Sequence, residues 1–79
     1  MSAPKKRSVT IRGHRTSFSL EDAFYAELES MAAARGKPVA ALIAEIDASR
    51  PPETNLSSAL RLYVLEELKR LRAGSRTGN

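Results

Sequence analysis

"SVTIRGHRTSFSL", residues 8–20, is the stretch on which the fold turns. Side chains alternate faces along a strand. In its second half, Thr16, Phe18 and Leu20 therefore share one face, and Arg15, Ser17 and Ser19 the other. One face suits a core; the other offers a guanidinium and two hydroxyls. In its first half, Val9 and Ile11 alternate with Thr10 and Arg12, again as in a strand. The two halves are out of phase. Val9 and Ile11 are odd-numbered, Phe18 and Leu20 even-numbered, and one continuous strand would put them on opposite faces. A bulge or tight turn at Arg12-Gly13-His14 resets the phase.

Helical patterns follow. "SLEDAFYAELESMAAARG" opens on Ser19 and Asp22, spaced as in a capping box, and places Phe24, Leu28 and Met31 on one stripe. Gly36 closes that helix. "KPVAALIAEIDASR" forms a second, with Pro38 at its first turn and Val39, Leu42, Ile43 and Ile46 on its apolar face. "RPP" at 50–52 stops it, because a residue before proline avoids the helical region. "NLSSALRLYVLEELKRLR" reads as a third helix capped by Asn55 or Thr54. Leu56, Leu60, Val64, Leu68 and Leu71 recur along it, Leu62 and Leu65 widen the face, and Glu66 and Arg70 stand four apart in the favoured order. The organisation expected is a basic tail without structure (1–7), a strand-helix-helix core (8–49), a proline-rich linker (50–55), a C-terminal helix (56–72) and a frayed tail (73–79). The class is mostly α with one short β-strand.

The bulk composition narrows what such a chain can do. Seventy-nine residues make at most one domain, and one this small seldom buries enough surface alone. There is no cysteine, so disulfides and zinc–thiolate sites are excluded; the single histidine, His14, makes no metal site by itself. No cofactor is implied. A partner chain is the remaining source of burial. No apolar run approaches a membrane span, and no apolar stretch follows the basic start, so the expectation is a soluble, cytoplasmic protein. No acid pair, Ser/His arrangement or phosphate-binding glycine loop is present, and no enzyme is expected. The net charge is +4, unevenly spread. Residues 1–20 hold five bases and no acid, residues 21–55 seven acids against three bases. A basic end of this kind suits a polyanion.

A lone strand leaves unsatisfied groups on both edges. The simplest second strand is the same strand of another copy, paired antiparallel about a two-fold axis. Phe18, Leu20, Phe24, Leu28, Leu42, Ile43 and Ile46 would then share one dimer core. Arg15, Ser17 and Ser19 of both chains would form an outward polar ribbon of a size that the DNA major groove admits.

The order strand, helix, Gly36 turn, helix over residues 14–49 resembles the ribbon-helix-helix DNA-binding family of the MetJ/Arc type. "RSVTIRGHRTSFSLE" looks like a subgroup of small bacterial proteins with an extended ribbon and an added C-terminal helix. The resemblance implies a homodimeric repressor that reads bases in double-stranded DNA through Arg15, Ser17 and Ser19. It also implies a phosphate held by backbone N–H groups at Lys37, Val39 and Ala40, where a helix N-terminus favours an anion. Pro38 departs from the serine or threonine of many members and removes one donor. Lys5, Lys6 and Arg7 are expected on phosphates, as the tail feeds into the ribbon. A second reading is a protein-binding module, antitoxin-like, that docks a protein partner on residues 56–72.

Overall fold

A computed structural model of the chain describes residues 3–77. Residues 1, 2, 78 and 79, all within the two expected tails, lie outside the described residues. Two strands come first, β1 (Lys5–Ile11) and β2 (His14–Leu20). Three helices follow: α1 (Asp22–Ala34), α2 (Val39–Ser49) and α3 (Leu56–Thr77).

The strands form an antiparallel hairpin within the one chain, from Lys5 opposite Leu20 to Ile11 opposite His14. The two turn residues both have positive φ, 51° at Arg12 and 80° at Gly13. That is the type I′ geometry whose twist matches a hairpin. Each cross-strand pair joins residues of opposite parity, odd-numbered on β1 with even-numbered on β2 or the reverse. Val9 and Ile11 thereby share a face with Phe18 and Leu20, and the phase reset expected at Gly13 is a tight turn. The expectation of a strand without a partner in its own chain is corrected here. Residues 5–11 supply that partner, and three of them come from the stretch expected to lack structure.

The capping box expected at Ser19 and Asp22 does not form. Leu20 is fully buried and Phe18 is 6% exposed. Their burial keeps the chain extended through Leu20, so the helix starts only at Asp22. Glu21 is its N-cap, with no side-chain capping bond. The far end of α1 closes as expected. Gly36 has φ 69°, its N–H donates to the Ala33 carbonyl, and the Lys37 N–H donates to the Ala32 carbonyl, both at 3.0 Å. These are the two bonds of a Schellman motif. α2 ends before Arg50, whose extended backbone precedes Pro51. Asn55 caps α3, its Oδ1 accepting from the Ser58 N–H at 2.8 Å. α3 runs on to Thr77, past the end expected at 72. A single helical glycine, Gly74, costs only about 1 kcal/mol against alanine, too little to stop it. Arg70 pairs with Glu67 at 2.8 Å, not with Glu66.

The inner face of the hairpin packs on all three helices. Phe18, Leu20, Leu28, Leu42, Ile43 and Ile46, expected in a core shared by two chains, are buried within this one; Phe24 is half-buried at its margin. α3 adds Leu56, Ala59, Leu60 and Val64 to the same core.

Candidate nucleic-acid interface

Alternation decides which hairpin side chains meet solvent. With Val9, Ile11, Phe18 and Leu20 turned inward, the outward face holds Lys6, Ser8 and Thr10 on β1 and Arg15, Ser17 and Ser19 on β2. All six are exposed. They stand as cross-strand pairs: Lys6 with Ser19, Ser8 with Ser17, Thr10 with Arg15. The polar ribbon expected from two copies of β2 is therefore present in one chain. Ser8 and Thr10 were missed as candidates. Their signal was the alternation with Val9 and Ile11, which acquires meaning only once β1 is seen to return beside β2.

The basic run at 5–7 is split by the same alternation. Lys6 is outward and has no ion pair among the described residues. Lys5 and Arg7 lie on the opposite side and both reach Asp22, at 3.1 and 2.6 Å. Arg7 is held further. Its Nε donates to the Leu20 carbonyl at 3.3 Å, and its guanidinium lies 4.2 Å from the centre of the Tyr25 ring. A guanidinium so stacked and hydrogen-bonded ties β1 to the start of α1. Arg7, expected on a phosphate, is thus engaged with Asp22, the Leu20 carbonyl and the Tyr25 ring. Hydrogen bonds from Lys5 first, then Arg7, hold the Asp22 carboxyl below its ordinary range. Arg61 does the same for Glu21, donating to it at 3.0 Å.

The helix N-terminus expected to hold a phosphate is only partly open. The Lys37 N–H is used in closing α1 on Ala32, and the Lys37 ammonium pairs with Glu45. The expectation for Lys37 is corrected accordingly. The Pro38 carbonyl accepts from the N–H groups of Ala41 and Leu42 at 3.0 and 3.2 Å. The N–H groups of Val39 and Ala40 remain without a partner among the described residues, as first-turn donors do.

The outer edge of β2 is also partly occupied. A two-residue turn makes Ile11 and His14 a hydrogen-bonded pair. The alternating ladder then directs the backbone groups of Arg15, Ser17 and Ser19 away from β1. The Ser19 N–H is taken by Ser57 Oγ of α3 at 3.0 Å. Ser19 therefore neither caps α1 nor keeps that edge donor free, although its own side chain is exposed.

The family model described as the ribbon-helix-helix domain matches residues 4–68 of this chain. The matched span takes in the hairpin, α1, α2 and more than half of α3. Comparison with curated proteins and with solved structures returns no match.

Proposed function

This chain belongs to the ribbon-helix-helix domain family, whose members are DNA-binding regulators, and from that premise we propose that it is a homodimeric, sequence-specific transcriptional repressor acting in the cytoplasm. The observation that carries the reading is the division of the hairpin into a buried apolar face and an exposed face bearing Arg15, Ser17 and Ser19. On this reading a two-stranded ribbon enters the major groove, which is wide enough to admit one. Arg15 grips a guanine with two hydrogen bonds. Ser17 and Ser19 donate or accept according to the base. Lys6 neutralises a phosphate, and the open N–H groups of Val39 and Ala40 hold another at the start of α2.

The test is a titration of fluorescent duplexes with wild type, Arg15→Ala and Lys6→Ala at several salt concentrations. A preferred duplex is first selected from a random pool with the wild-type protein. Arg15→Ala should cost about 1–3 kcal/mol on the preferred duplex and less on random DNA. Lys6→Ala should weaken both alike and lower the salt slope by about one. If wild type selects no preferred duplex, or both variants act uniformly, the ribbon is not a sequence reader.

One observation favours a second reading, a module that binds a protein partner. Leu62, Leu65, Leu68 and Leu71 of α3 are each 42–54% exposed. Leu62 also lines an open groove of about 580 Å³ between α2 and α3. A dimer in which these leucines stay open to solvent would favour that reading; their protection in the dimer would assign the face to self-association.

A further inference from the structure

We infer that the C-terminal half of α3 is a self-association surface, on which the same segment of a second copy lies antiparallel through Leu65, Leu68 and Leu71. The inference goes beyond the DNA-binding reading and uses none of its contacts.

Leu60, Val64, Leu68 and Leu71 recur at helical spacing and share one stripe of α3. The first two are 0% and 1% exposed, the last two 42% and 51%. The stripe stays apolar, but the body of the chain that covers it ends at Val64. Between Leu65 and Gly74 only Glu67 is even half-buried. Leu65, also exposed, widens the apolar side of this overhang. A helix end that merely stood in water would be polar all round.

The shape of the chain sets the direction of a second helix on that stripe. A parallel copy would run its residues 56–64 into the space that this chain's own body fills over Leu60 and Val64. An antiparallel copy overlaps overhang with overhang, and each body lies beyond the end of the other helix.

The charges agree with this direction. Glu66 and Glu67 precede Leu68; Lys69, Arg70 and Arg72 follow it. An antiparallel copy aligned on Leu68 brings its Lys69 level with Glu67 and its Arg70 level with Glu66. A parallel copy brings like charges level. Lys69 and Arg70 already pair with Glu66 and Glu67 along the helix, at 3.8 and 2.8 Å, but pairs on an exposed surface hold weakly. Arg72 has no ion pair among the described residues. With two acids against three bases, the segment offers no strong charge of one sign to a polyanion or an acidic peptide. Its pattern fits its own reverse.

Ten residues of helix span about 15 Å, so the overlap is small and reversible. It involves no residue of the hairpin, α1 or α2, and adds to any pairing those elements make.

The test uses the full chain, which has no cysteine, so that single spin labels can be placed by Leu62→Cys, Lys69→Cys and Gly74→Cys. A Cβ at Gly74 meets nothing within 4 Å. In an antiparallel pair aligned on Leu68, equivalent residues separate along the axis by twice the rise, about 3 Å at Lys69 and about 18 Å at Leu62 and Gly74. Distances between copies, measured by electron paramagnetic resonance across a dilution series, should therefore be shortest at Lys69 and longer on both sides. Adding Leu68→Glu, at an exposed position, should abolish this profile and leave thermal unfolding as in wild type. Equal distances at the three sites, or a profile that survives Leu68→Glu, would overturn the inference. Absence of any coupling between copies would also overturn it and leave the leucines to a different protein. Selection of a duplex by wild type is a separate measurement, so failure here leaves the DNA-binding reading standing.

Discussion

The turn between β1 and β2 is the position where a single substitution tests most of the reasoning. Gly13 has φ 80°, in the left-handed region, and a Cβ added there would meet nothing within 4 Å. Any cost of Gly13→Val is therefore conformational, free of steric clash with neighbours. The left-handed region costs an ordinary L-residue about 1–2 kcal/mol, and a β-branched side chain sits at the upper end. For a domain of this size, 1 kcal/mol moves the unfolding midpoint by about 4–8 °C. Gly13→Val should then lower it by about 4–16 °C, with Gly13→Asn milder than Gly13→Ala. Arg12 provides the converse. It already occupies φ 51°, where asparagine or glycine is preferred. Arg12→Asn should raise stability by about 0.5–1 kcal/mol. Thermal unfolding by circular dichroism and urea midpoints would measure both. A Gly13→Val variant within about 0.5 kcal/mol of wild type, the usual range for a surface change, would refute the hairpin and everything built on it.

Phe18→Asp would place an unpaired charge in the core of the single chain, and a protein that fails to fold is expected, with Phe18→Ala costing about 3–5 kcal/mol; a cooperative, wild-type-like transition for Phe18→Asp would contradict the burial described. Acid should destabilise the fold. The carboxyls of Glu21, Asp22 and Glu45 are depressed in the folded state by Arg61, Lys5 and Lys37 respectively, so the unfolded chain takes up more protons on acidification. The stability they contribute is present above the ordinary carboxylate range and lost as pH falls below about 4; unfolding midpoints across pH 3–7 should show that limb, and Asp22→Asn should flatten it. Arg7→Ala should lower the unfolding midpoint and leave the salt dependence of DNA binding unchanged, whereas Lys6→Ala should do the reverse; a common effect would mean that the strand faces are misassigned.

Much of this architecture was legible because each helix announces itself locally. Gly36, Asn55 and the Arg50-Pro51 junction act within a few residues, and the stripes of Leu28, Leu42 and Leu60 are read at helical spacing. The hairpin was legible only by half. The odd-to-even shift between Ile11 and Phe18 showed that something breaks at Gly13, but not that the chain turns back. Arg-Gly is a weaker hairpin signal than Asn-Gly, since arginine has no special tolerance for positive φ. The start of β1 was hidden for another reason. At Lys5 and Arg7 the inward positions carry charges, so the run has no apolar alternation and reads as tail. Their partners, Asp22 and Tyr25, come from the next helix, and no local pattern reveals a contact of that range. The candidate site inherited the same gap. Arg15, Ser17 and Ser19 could be placed from β2 alone, but Ser8 and Thr10 become candidates only through pairing.

Charge counted along the chain overstates the charge that a DNA backbone would meet. The first twenty residues hold five bases and no acid. After folding, Lys5 and Arg7 lie on the inner side and share Asp22. Lys6 and Arg15 remain on the outward face and Arg12 at the turn, none with an ion pair among the described residues. Asp22→Asn separates position from neutralisation. It removes the carboxylate from two cations at once. If those cations are kept from DNA only by their partner, both become available, and each phosphate they neutralise steepens the salt slope by about 0.9. If they are kept from DNA by the face of the strand they occupy, the slope does not change, because Arg7 still stacks on Tyr25 and Lys5 still points away from the outward side. The expectation is an unchanged slope together with a lower unfolding midpoint. Titrations of random duplex from low to moderate salt would decide it. A slope steeper by one to two units would show that the inner cations reach the phosphates after all, and that alternation along β1 does not govern which charges meet DNA.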